Sequence, residues 1–148
     1  MTQVRLDRTN ATHYSVMLDE ILTALNLKEA GVYADCTFGR GGYARAILEA
    51  VADSKVIALD RDAAALEAAK EFQGLYKERF DFKQVCFDEL ADVLGEGQKL
   101  DGLVFDLGVS SPQLDRPERG FSFRFEGPLD MRMGTDGITA AEVVNTYS

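Results

Sequence analysis

Apolar positions along the chain alternate between helical spacing and short continuous runs. From Ser15, the residues Leu18, Ile21, Leu22 and Leu25 fall three and four apart. This predicts an amphipathic opening helix that closes near Lys28 and Gly31, where a glycine can take left-handed backbone. Gly31 to Cys36 is then a short apolar run ending in a carboxylate, followed by Thr37-Phe38-Gly39-Arg40-Gly41-Gly42 and a helical stretch from Ala44 to Ala52. Strand, glycine turn and helix is the natural reading.

The unit recurs. Lys55 to Asp60 reads as a second strand, and Asp62 can cap a helix running through Leu66, Ala69 and Phe72. Phe82 to Phe87 predicts a third strand, followed by a short acidic helix to about Leu94, and Leu100 to Leu107 predicts a fourth strand. Strands alternating with helices of this length imply an α/β fold with a mainly parallel sheet that takes ligands at the carboxyl ends of its strands. From Gly108 to Gly137 the pattern breaks into a loop with three prolines and four arginines, interleaved with Phe121, Phe123 and Phe125. An irregular segment of that length is uncommon unless it is functional. Thr139 to Asn145 begins a further helix.

Composition narrows the picture. The 148 residues, 46% of them hydrophobic, suffice for one domain with a real core. Lys plus Arg total 16 against 25 Asp plus Glu, a formal charge of −9, which argues against non-specific nucleic-acid binding. The excess is uneven: residues 60–101 carry 11 acids and 6 bases, whereas residues 1–59 carry 7 and 6. Cys36 and Cys86 stand far apart, with one histidine in the chain, so neither a disulfide framework nor a metal site is expected. Both cysteines read as small core residues, and His13 as a loop or cap residue. Neither a signal-peptide core nor an apolar run of membrane-spanning length is present, and the chain reads as soluble and cytoplasmic, with no membrane partner.

The candidate chemistry begins at the glycine turn. Gly39-x-Gly41-x-x-Ala44 fits a nucleoside-binding turn in which missing side chains let the backbone approach a ligand, although a plain tight turn would look the same. Asp60, 19 residues past Gly41 at the end of the next strand, can accept hydrogen bonds from both hydroxyls of a ribose. That arrangement serves NAD and S-adenosylmethionine equally. Asp35 at the first strand tip can hold the ammonium of a methionine moiety, which NAD lacks, or can cap the turn.

Asp106 ends the fourth strand and precedes Ser110-Ser111-Pro112-Gln113, loosely like the turn used by enzymes that methylate exocyclic amines. The lone pair of such an amine is delocalised into its ring. A carboxylate (Asp106), a hydroxyl (Ser111) or a backbone carbonyl (Pro112) that accepts from the amine favours the pyramidal, nucleophilic nitrogen. Downstream, Arg116, Arg119, Phe121 and Arg124 have the character of a single-stranded RNA surface; the alternative is that the phenylalanines pack the loop and the arginines pair with nearby acids.

Six segments taken together, HYSVMLDE (13–20), DCTFGRGGYARAIL (35–48), ALDRD (58–62), DLGVSSPQLD (106–115), RGFSF (119–123) and GPLDMRM (127–133), resemble the RsmH (MraW) family. These are bacterial S-adenosylmethionine-dependent enzymes that methylate N4 of a cytidine in small-subunit ribosomal RNA. The resemblance implies a Rossmann-like class I methyltransferase fold, truncated after the fourth strand and its loop. It implies that residues 1–148 form the cofactor-binding half, without the family's helical insert and later strands. It also implies that Gly41, Gly42 and Tyr43 line the methionine end of S-adenosylmethionine, that Asp60 holds the ribose, and that Phe87 lies beside the adenine. Asp106 and Gln113 would stand near the methionine side and the reacting centre. The family usually has histidine at the position of Tyr43. The implied partner is ribosomal RNA within the small subunit; the alternative is a non-catalytic fragment that at most binds cofactor, or works with a partner or as a homodimer.

Overall fold

The computed structural model describes residues 15–148, and His13 lies outside them. Four strands form one parallel sheet in the order β3-β2-β1-β4, with β1 at Val32–Asp35, β2 at Lys55–Leu59, β3 at Phe80–Lys83 and β4 at Gly102–Val104. The helices are α1 (Leu18–Leu25), α2 (Gly42–Ala50), α3 (Leu66–Tyr76), α4 (Leu90–Leu94), α5 (Ser111–Asp115) and α6 (Ala140–Thr146). This is the alternating α/β architecture expected from the hydrophobic pattern.

Two apolar clusters hold the sheet to its helices. One gathers Tyr33, Val56, Ala58 and Phe80 of the strands with Ile47 and Leu48 of α2 and Ala69 and Phe72 of α3. At its centre is Phe38, from the glycine turn, whose ring centroid lies 5.1 Å from that of Phe72 and 5.4 Å from those of Phe80 and Phe82. Such aromatic pairs add about 0.5–1.5 kcal/mol each beyond simple burial, so the turn is pinned to the core by its own side chain. The second cluster joins Leu18 of α1, Tyr43 and Ala46 of α2, and Val104 of β4.

Several element boundaries differ from the sequence expectation, each for a local reason. α1 ends at Leu25, and the next residue, Asn26, takes the left-handed conformation at φ 47° expected of Gly31; asparagine is among the few other residues that enter this region readily. β3 begins at Phe80 and ends at Lys83, because its partner β2 ends at Leu59, opposite Lys83. β4 is confined to three residues because β1 ends at Asp35, opposite Val104. α2 starts two residues early, at Gly42. The segment 108–137 is not structureless. It contains α5 and a single 3-10 turn at Pro117–Arg119, and it is stitched by backbone bonds from Met131 N–H to Arg119 O (3.1 Å) and from Ala140 N–H to Asp130 O (2.8 Å).

Candidate active site

In a sheet ordered β3-β2-β1-β4, the chain moves outward from β1 in one direction and returns to add β4 on the other side. This opens a crevice at the carboxyl ends of β1 and β4, the place where parallel α/β sheets take their ligands. Three carboxylates stand at this edge: Asp35 ends β1, Asp60 follows β2 and Asp106 follows β4.

The glycine turn crosses the edge between β1 and α2. Phe38 N–H donates to Leu59 O at 2.9 Å and Gly41 N–H donates to Phe38 O at 2.7 Å, which tightens the loop. Gly41 adopts φ 79°, and a Cβ there would run into the Phe72 ring and lie 2.7 Å from Phe38 Cε2. Gly39 adopts φ 55°, and a Cβ built there would meet Thr37 O at 3.9 Å, an ordinary contact, so the left-handed backbone and not a collision is what calls for glycine.

Asp35 is completely buried beneath this loop. One carboxylate oxygen accepts from Thr37 N–H at 3.3 Å and the other from Ala44 N–H at 3.2 Å. Burial pushes its carboxyl up to about 7, against the opposing pull of the two backbone bonds. The structure thus has Asp35 capping the turn and the start of α2. This is one of the two roles its position at the strand tip allows, and both oxygens are bonded below the surface.

Asp60 is half-buried and holds the turn from the other side. Its Oδ2 accepts from Gly39 N–H at 2.7 Å and its Oδ1 from Asp62 N–H at 2.8 Å. Burial also raises this carboxyl above its ordinary range, with the two backbone bonds working against the rise. A carboxylate offers about four acceptor positions, so each oxygen retains one for an incoming hydroxyl.

Asp106 is exposed at the crevice, with its N–H donating to Thr37 Oγ1 at 2.7 Å. Tyr43 is buried behind it. Burial first, and then the Asp106 charge, pushes the phenol up to about 12, so it stays neutral at physiological pH. Phe87 and Phe105, each 42% exposed, meet edge-on with centroids 5.5 Å apart, linking the segments after β3 and β4.

The turn after β4 is held from its base. Gln113, on α5, is buried, its Oε1 accepting from Ser110 N–H at 2.9 Å and its Nε2 donating to Asp62 Oδ2 at 2.9 Å. Ser111 and Pro112 form the first turn of α5, where proline's missing N–H costs no helical bond. Arg119 donates to the same Asp62 Oδ2 at 2.9 Å and lies within bonding distance of the carbonyls of Arg132 and Met133. Its guanidinium also sits 5.8 Å from the half-buried Phe121 ring. Arg119 and Phe121, two of the four residues expected to meet RNA, are therefore in contact within the fold. Arg116 and Arg124 are exposed, and neither side chain has a partner among the described residues.

Sequence reasoning did not anticipate Thr37, Phe38 and Phe105, nor the second role of Asp62, which was legible only as a helix cap. Its partners are 51 and 57 residues away, beyond any local pattern.

The parallel four-stranded sheet, with a glycine turn after its first strand and a carboxylate after its second bonded to that turn, defines a partial Rossmann-like α/β core of the methyltransferase type. The sequence profile of the MraW methylase family matches residues 10–148, and the chain belongs to that family. It is 52% identical over 136 residues to the ribosomal RNA small subunit methyltransferase H of Rhodospirillum rubrum, covering 90% of this chain and 41% of that protein. The enzymes of the same name from Rickettsia massiliae and Rickettsia rickettsii are each 53% identical, over 91% and 90% of this chain and 43% of their own lengths. The chain thus spans about two fifths of the curated relatives it matches. Among the described residues, no helix is long and apolar enough to cross a membrane.

Proposed function

We propose that this chain is the S-adenosylmethionine-binding part of an enzyme that methylates N4 of a cytidine in small-subunit ribosomal RNA. The observation that carries the reading is Asp60: a half-buried carboxylate after β2, bonded to the glycine turn, with one acceptor position free on each oxygen for the ribose hydroxyls. The glycine turn, which carries no side chain at Gly39 or Gly41, lets the cofactor approach its backbone, and Phe87 offers a ring to the purine. Gly41, Gly42 and Tyr43 form the wall at the methionine end, and Asp35 supports that wall from below.

Bound there, S-adenosylmethionine supplies an electrophilic methyl group. The chain's own part is to present the nucleophile. Asp106, steadied by Thr37 and Tyr43, accepts from the exocyclic amine, with the Ser111 hydroxyl and Pro112 carbonyl as further acceptors on α5, the helix that follows β4. This favours the pyramidal nitrogen and directs its lone pair toward the crevice. The target base has to leave its stack to reach this depth. Arg116 and Arg124 are the residues free to meet phosphate, while Gln113, Arg119 and Phe121 support the turn from behind.

Two experiments test the reading. S-adenosylmethionine should raise the melting temperature of the chain whereas NAD should not, because only a ligand of the native state stabilises it. Transfer of a labelled methyl group to small ribosomal subunits tests the substrate. If NAD protects and S-adenosylmethionine does not, the cofactor assignment fails.

A second reading, cofactor binding without methyl transfer by this chain alone, is favoured by the exposed side chains of Leu103, Phe105, Leu107 and Val109 along and beyond edge strand β4. Size-exclusion chromatography distinguishes the two: a folded monomer that methylates RNA rules this one out.

A further inference from the structure

Asp62 joins three stretches of chain at one carboxylate. Its N–H donates to Asp60 Oδ1 at 2.8 Å, and its Oδ1 accepts from Ala64 N–H at 3.0 Å, fixing the turn into α3. Its Oδ2 takes both the Gln113 amide and the Arg119 guanidinium at 2.9 Å. Gln113 in turn fixes Ser110 N–H, and Arg119 reaches the carbonyls of Arg132 and Met133. The pair is shielded, with side chains 13% exposed for Asp62 and 20% for Arg119. Burial alone would raise the Asp62 carboxyl; the bonds from Ala64, Gln113 and Arg119 outweigh it and hold the group below its ordinary range.

We propose that Asp62 is a positioning residue that couples the ribose end of the cofactor site to the acceptor turn at Ser110–Gln113. The inference rests on the cofactor reading above, in which Asp60 grips the ribose. Asp60 and Asp62 are tied through one backbone bond, so fixing the first restrains the second. Asp62 passes that restraint across 51 residues of sequence to Gln113, and from there to the head of α5. The link runs through charge-assisted hydrogen bonds with no intervening flexible group. By linkage, an acceptor that orders the turn tightens cofactor binding by the same factor.

Hydrogen exchange at residues 110–119 of the 148-residue chain, with and without S-adenosylmethionine, tests this. In the wild type the cofactor should slow exchange there by about tenfold, within the usual range of coupling between sites. Asp62→Asn keeps the shape and the acceptor for Ala64 but sets an NH2 group against two donors. It should still bind S-adenosylmethionine in a calorimetric titration yet lose the cofactor-dependent slowing. Asp62→Asn combined with Gln113→Glu reverses the polarity of the contact, leaves an acceptor for Ser110 N–H, and should restore the slowing. If Asp62→Asn does not fold, Gln113→Glu alone, which leaves the Asp62 bond to Ala64 and an acceptor for Ser110 N–H but sets carboxylate against carboxylate at the contact, should show the same loss. A wild-type chain that binds no S-adenosylmethionine overturns the cofactor reading and this inference with it. Binding without slower exchange at 110–119, or slowing that survives in the folded variants, overturns the coupling alone.

Discussion

The phenol oxygen of Tyr43 lies 2.7 Å from the carbonyl of Val16 and 3.3 Å from Oδ2 of Asp106. Its one proton serves the nearer acceptor, and the longer approach to Asp106 is the weaker arm of a shared bond. The head of α2, the approach to α1 and the acidic tip beyond β4 thus meet at a single buried hydroxyl.

Tyr43→Phe should therefore destabilise the chain by about 1 kcal/mol, the usual net worth of one hydrogen bond, because its acceptors belong to Val16 and Asp106, both exposed residues that water can reach. Chemical denaturation of both proteins checks this. An unchanged unfolding free energy would show that water replaces the phenol at no cost.

The buried carboxyl of Asp35 makes stability depend on pH with a definite sign. Its folded value, about 7, lies above the unfolded 3.8, so between these limits the native state holds the extra proton. Unfolding free energy should fall as pH rises from about 4 to about 7, by at most about 1.4 kcal/mol per unit from this group, and then level off. Asp35→Asn should flatten the decline, as read from denaturation at pH 5 and pH 8. An equally steep decline in the variant would place the proton elsewhere.

Gly41→Ala combines a disfavoured backbone with a collision. At φ 79° the new methyl would meet the rings of Phe72 and Phe38, both packed in the core. A loss of about 3 kcal/mol or more is expected, enough to threaten folding of a small domain. Circular dichroism melting measures it. A variant as stable as the parent would mean that the turn relaxes without disturbing Phe38.

The strand and helix order was readable because three of the four apolar runs carry, at or near their ends, a carboxylate that the fold uses. Asp35, Asp60 and Asp106 all stand at the carboxyl edge of the sheet. The ends of β3 and β4 were not readable, since they are set by where β2 and β1 stop. The same holds for the arginines after β4. Arg119 looked like an RNA contact because its anion, Asp62, lies 57 residues upstream, whereas Arg132 finds Asp130 two residues away. Only a folded chain separates those committed arginines from Arg116 and Arg124.

Calorimetric titration of S-adenosylmethionine into the wild-type chain and into Asp60→Ala tests the central claim most directly. The account predicts saturable binding at one site, weakened at least about tenfold in the variant, which corresponds to about 1.4 kcal/mol from the lost ribose bonds. Absence of binding at millimolar cofactor, or equal affinity in a variant that remains folded, would contradict it.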